Sequence, residues 1–204
     1  MRVIQCDSWG DFAKAMARYC GLPRSRRDEF WFRGQGDSRL PLRTTLDRTF
    51  DIDDDVERQK VVRDLLDEFR GEAIRIEYDD RFTADLDRLE LLARHHGLPS
   101  PLLDWTQSPF AAGYFAFERL EPGAEHVAVW MVDMAGLDRS SLDYELLNDI
   151  EKIEGNPRAL RQKGVFVRIT TVRESVEAML GDSLYRFDVP AGGRQEALAE
   201  LDEM

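Results

Sequence analysis

Apolar residues at Trp9, Phe12, Ala13, Met16 and Tyr19 recur at helical spacing. Ser8 and Asp11 have capping-box spacing, so the pattern predicts a helix over 8–20. Val62, Leu65, Leu66 and Phe69 give a buried stripe to a second helix over 54–70. Asp53, Asp54 and Asp55 crowd its start, where the dipole favours negative charge. A third helix is read over 85–96 from Leu86, Leu89, Leu92 and Ala93. Gly97 follows in the left-handed C-cap position, Leu98 can fold back onto Ala93, and Pro99 cannot continue the helix. Ser108 and Pro109 open a fourth helix as N-cap and first residue. Its run through Phe110, Ala111, Ala112, Tyr114, Phe115, Ala116 and Phe117 has little polar face, which predicts burial.

Strands are expected over 29–32, 126–132, 165–169 and 184–189. Further helices are expected over 141–154, with Leu142, Leu146, Ile150 and Ile153 inward, over 171–180, and after Ala191-Gly192-Gly193. Residues 71–82 read as loop plus a short helix. Strands separated by helices of unequal length point to an α+β fold rather than a βαβ repeat. The chain of 204 residues reads as one globular domain. Its parts are an N-terminal helix and basic connector over 1–27 (with Arg24, Arg26 and Arg27), a core over 28–190, and an acidic tail over 191–204.

Charge and cysteine usage narrow the classes. A formal net charge of −12 disfavours non-specific binding to a phosphate backbone, although a local basic patch can still act. Cys6 and Cys20 make neither a disulfide framework nor a metal-ligand set, so a reduced, cytoplasmic setting is expected. The start lacks a signal peptide's apolar core, and no run has membrane-spanning length. No metal is expected, since adjacent histidines without a third ligand make a poor zinc signal. Signatures of P-loop nucleotide binding, of serine hydrolases and of zinc proteases are absent.

Candidate chemistry concentrates in two stretches. In Leu89–Phe117, Asp104 is the charged side chain between Leu103 and Trp105, a costly position unless it is hydrogen-bonded or paired. His95 and His96 read either as structural hydrogen-bonders or as ligand contacts. Tyr114 reads as core or catalytic. In the other stretch, Arg33 ends the first strand ahead of Gly34-Gln35-Gly36. With Arg43 it can clamp a phosphate or carboxylate; alternatively it pairs internally with Asp104. Asp37 ranks second to Asp104 among carboxylates. Gln162, before Gly164, can hydrogen-bond a ribose or an amide but cannot act as a general base.

The pieces WFRGQGDSRLPLRTTL, LLARHHGLPSPLLDWTQSPFAAGYFAF and NPRALRQKGVFVRI, in this order, resemble the FRG-domain family over about residues 28–170. More distantly, Arg33-Gly34, Tyr114-Phe115-Ala116 and Arg161-Gln162-Lys163-Gly164 resemble the three elements of the ADP-ribosyltransferase fold. That resemblance implies a small split or strongly twisted sheet. It also implies NAD as substrate, held by Arg33, Gly34, Gln35, Arg43, His95, His96 and Trp105. Catalytic roles would fall to Arg33, Gln162, Tyr114 and Asp104. Gln162 stands where a transferase usually carries glutamate, which leaves transfer, hydrolysis and binding alone as alternatives. The family resemblance implies a bacterial or phage defence or toxin effector with a nucleotide ligand and a protein or nucleic-acid acceptor. The rival reading is a non-catalytic regulatory or recognition module.

Overall fold

The computed structural model describes residues 1–147 and 164–202, and its sheet grows outward from β2 (Phe30–Gln35). The other strands are β1 (Arg2–Gln5), β3 (Leu102–Thr106), β4 (His126–Asp133), β5 (Tyr144–Leu147), β6 (Gly164–Ile169) and β7 (Leu184–Pro190). Their order is β1-β7-β4-β2-β3-β6-β5; β1 runs parallel to β7, and the remaining pairs are antiparallel. β2 pairs with β4 from Phe30↔Asp133 to Gln35↔Ala128, and β3 with β6 from Leu102↔Arg168 to Thr106↔Gly164. Between β2 and β3 the ladder has one rung, Phe32↔Thr106. The sheet of this α+β fold is thus two well-paired halves joined by one residue pair.

Alternation along the strands sorts side chains to two faces. Trp31, Leu103, Trp105, Trp130, Val165 and Val167 pack together on one face. On the other, Phe32, Val129 and Phe187 meet Trp9, Phe12 and Met16 of α1 (Trp9–Cys20) and Ala112, Ala116 and Phe117 of α7 (Pro109–Glu118). α7 lies so close to β2 that a Cβ on Gly34 would sit 2.0 Å from the Ala112 carbonyl oxygen. A Cβ on Gly36 would sit 1.8 Å from that of Arg119. These two glycines serve helix–strand contact. The acidic C-terminal segment forms α9 (Arg194–Asp202) and is tied to this layer, since Trp9 Nε1 donates to Glu200 at 2.7 Å and Arg194 Nε to the Phe117 carbonyl at 2.9 Å.

The remaining helices are α2 (Arg24–Arg27), α3 (Thr45–Thr49), α4 (Asp55–Arg75), α5 (Asp80–Thr83), α6 (Leu86–His95) and α8 (Val176–Leu180). α6 ends as its sequence requires: Gly97 has φ +88°, and the Leu98 N–H donates to the Ala93 carbonyl at 3.0 Å. α4 starts at its cap, where Asp54 accepts the N–H groups of Val56 and Glu57, both at 2.9 Å. Asp54→Ala is expected to cost about 1 kcal/mol, lowering the melting temperature by roughly 2–4 °C in thermal denaturation. No described helix is long and apolar enough to cross a membrane.

Three expectations need correction. The helix over 141–154 is contradicted at its start, where Tyr144–Leu147 pairs with β6, and Leu142, expected inward, is 90% exposed. Residues 148–154 lie outside the described residues. The helix over 171–180 begins later, at Val176 behind a Ser175 cap, because Thr171 instead bonds the Asp55 carboxylate at 3.0 Å. Leu102–Thr106 and Arg2–Gln5, outside the expected strands, are strands.

Candidate functional site

Where β2 and β3 part, a cleft of about 340 Å³ opens, walled by α6 and α7. Arg33 lies one residue beyond the last rung, and its Nη1 donates to the backbone carbonyl of Asp104 across the gap at 2.7 Å. The Asp104 side chain leaves β3 on the face opposite Leu103 and Trp105 and meets the last turn of α6. There Arg94 forks it, with Nε donating to Oδ1 at 2.5 Å and Nη2 to Oδ2. Arg33 Nη1 stands 3.9 Å from the same carboxylate. Arg94 is fixed from behind, since its Nη1 donates to Thr45 Oγ1 at 3.0 Å and that oxygen also accepts the Ser100 N–H at 2.9 Å. This pins α3, the Pro-rich loop and the end of α6 to one point.

Charge in the cleft is lopsided. Among the described residues, Arg33, Arg94 and Arg119 line it, against one carboxylate, Asp104. Burial works against ionising Asp104, but the Arg94 hydrogen bonds and charge, then Arg33, hold its carboxyl below the usual range. Burial also lowers the Arg33 pKa to about 10, with repulsion from Arg94, Arg48 and Arg119 adding to it and Asp104 opposing. Arg33 stays charged at neutral pH, in a place where positive charge is unfavourable. Arg48 is pushed down as well, by burial of its guanidinium and then by Arg94. Arg33 Nε is buried without a hydrogen-bond partner in the structure. An anion drawn into this cleft relieves the repulsion and gains charge-assisted hydrogen bonds. Leu91, Leu98 and Phe166 add apolar lining, and Phe115 forms part of the wall with Arg119 stacked 5.5 Å from its ring.

The sequence candidates divide by place. Arg33, Gly34, His95 and Asp104 meet at the cleft. His96 turns toward α4, its ring 5.9 Å from Phe69 and 6.5 Å from Tyr78. Trp105 also borders the cleft, but its ring belongs to the core on the other face of the sheet, so it does not stack on a ligand there. Gln35 is a latch: its Nε2 donates to the Leu40 carbonyl at 2.9 Å and its Oε1 accepts from Trp130 Nε1 at 3.0 Å. Arg43 hydrogen-bonds the Asp47 carbonyl and does not line the cleft, so the expected Arg33–Arg43 clamp is not formed. Asp37 is buried and chelated by Arg39. Gln162 lies outside the described residues.

Tyr114 is exposed, and the aromatic residue that α7 brings to the cleft is its neighbour Phe115. The reason is helical phase: Ala112 and Ala116 face Gly34, which puts Phe115 and Arg119 on the flank beside Arg33 and turns Tyr114 outward. Arg94, Arg119, Phe115 and Thr45 are the residues that sequence reasoning missed. For Phe115 and Arg119 a signal was present in their four-residue spacing beside the small Ala112/Ala116 face. For Thr45, 49 positions from Arg94, no local signal exists.

Residues 28–125 match the family model of the FRG domain. No curated protein and no solved structure matches the chain.

Proposed function

For this member of the FRG-domain family, whose matched stretch contains Arg33, Arg94, Asp104 and Arg119, we propose that the cleft binds the diphosphate of NAD and that the protein acts on it as an ADP-ribosyltransferase-like enzyme. One observation carries the reading: among the described residues three lining guanidinia face one carboxylate already forked by Arg94, within a chain of net charge −12. A diphosphate supplies the anionic oxygens that Arg33 and Arg119 are placed to receive. The wall of Leu91, Leu98 and Phe166 suits a base or nicotinamide ring. In the reaction the bond between ribose and nicotinamide breaks, and the bonding electrons leave with nicotinamide. Water or an acceptor side chain or nucleobase then adds to the ribose carbon and loses a proton. The part assigned to this chain is to hold the diphosphate fixed, so that positive charge develops at the ribose in a preorganised setting.

Incubating the protein with NAD, alone and with protein or nucleic-acid acceptors, tests this. Nicotinamide release is expected, and Arg33→Ala, checked for folding, should lower it by about tenfold or more, the scale of one charge-assisted contact. Intact NAD after incubation with wild type would remove the enzymatic reading. A second reading, binding without turnover as a recognition module, is favoured by the state of Asp104. Its carboxylate is held by Arg94 and is poorly placed to accept a proton.

A further inference from the structure

A second cavity of about 310 Å³ lies across α6 from the cleft, between α4, α6 and the end of β6. Val62, Leu66, Leu86, Pro101 and Ile169 give it an apolar wall, and Glu90, 2% exposed, lines it as well. The hydrogen-bonding capacity of its buried groups is unequally used. Arg168 is engaged through all three nitrogens: Nε and Nη2 donate to Glu90 Oε2 at 2.8 and 2.6 Å, Nη2 to Asp87 at 2.5 Å and Nη1 to Glu145 at 2.5 Å. Arg58 bonds Asp47 and, at 3.2 Å, the Ile169 carbonyl. Glu90 Oε1 is buried and without a partner. The site therefore keeps one buried acceptor, Glu90 Oε1, that nothing satisfies, and a ligand that completes it there must donate.

Charge fixes the kind of donor. Around Arg168 stand three carboxylates, Asp87, Glu90 and Glu145, of which Glu90 lines the cavity; Arg58, the other buried guanidinium of the lining, is paired with Asp47, so four carboxylates surround two buried arginines. Arg63 and Asp67, both exposed, also line it, and Asp67 is paired with Arg70 at 2.9 Å. Burial raises the Glu90 pKa, as expected of a carboxylate that is under-compensated. We propose that this cavity binds a small organic cation, a protonated amine on an apolar body, with the ammonium on Glu90 and the body against Val62 and Leu66. The site is separate from the nucleotide cleft, and the proposal stands whether or not NAD is the substrate.

Benzylammonium is a suitable probe and neutral benzyl alcohol its isostere, each titrated into the intact chain by protein-observed NMR at neutral pH. Saturable binding of benzylammonium at about millimolar concentration is expected, with benzyl alcohol weaker by about tenfold or more. Glu90→Gln should remove the preference for the charged probe. Val62→Trp, which fills the cavity and leaves the carboxylates in place, should abolish binding even if Glu90→Gln does not fold. Absence of saturable binding to wild type, equal affinity for the two probes, or binding that survives in folded Val62→Trp would overturn the proposal.

Discussion

Gly34→Ala is expected to destabilise the protein by about 3 kcal/mol or more, at the upper end of overpacking penalties. The added methyl would stand 2.0 Å from the Ala112 carbonyl oxygen and 2.6 Å from the Ala116 nitrogen. Both are backbone atoms of α7 and cannot swing aside as a side-chain end can, so the helix itself must lift off β2. Because α7 also carries Phe115 and Arg119, the cleft wall should shift with it. Gly71 is the internal control. It lies within α4, where an added methyl would meet nothing within 4 Å, and Gly71→Ala should stabilise by roughly 0.5–1 kcal/mol. Urea denaturation of the two variants should move the midpoint in opposite directions. A Gly34→Ala protein as stable as wild type would mean that α7 does not dock on β2 in this way.

Arg168→Met should be comparably damaging, by about 3–5 kcal/mol near neutral pH, the cost of removing one partner of a buried ion pair. It strands Glu90 and Asp87, which are 2% and 17% exposed, whereas Glu145 at 54% is already solvated and contributes little to the loss. The pH dependence follows from Glu90. Burial already raises its folded pKa above the ordinary carboxylate value, with Arg168 opposing. The folded state therefore keeps a proton that the unfolded chain releases, and stability falls as pH rises between the unfolded and folded pKa values. Without Arg168 that window extends upward. The variant's deficit should be smaller in mild acid, where Glu90 takes up its proton, than at neutral pH and above. Denaturation curves across this range check it, and a deficit independent of pH would show that the Glu90 charge is not its source.

Much of the frame was legible because it is locally encoded. Ser8, Asp54 and Ser108 cap the helices they precede, and the turn at Gly97 takes the left-handed conformation. The apolar strand His126–Asp133 lies within the sheet, between β7 and β2. What escaped was decided by pairing partners. Leu102–Thr106 is a strand because β6 pairs along it, which its Pro-rich flanks and central aspartate conceal. Tyr144–Leu147 has helix-compatible spacing, but its alternative was a vacant edge of the same sheet. The site was legible in Arg33 and Asp104, whose types and neighbours are unusual. Their convergence with Arg94 and Thr45 depends on contacts spanning tens of residues, and the placement of Phe115 over Tyr114 depends on helical phase against Gly34.

The central claim is that the guanidinium-rich cleft is a diphosphate site, and calorimetric titration with ADP-ribose tests it most directly because binding is read apart from turnover. Wild type should bind at one site. Arg119→Ala, which removes an exposed cleft guanidinium with little risk to folding, should weaken the affinity by roughly tenfold, on the scale of a charge-assisted hydrogen bond. Absence of binding to wild type, or an affinity unchanged in Arg119→Ala, would contradict it.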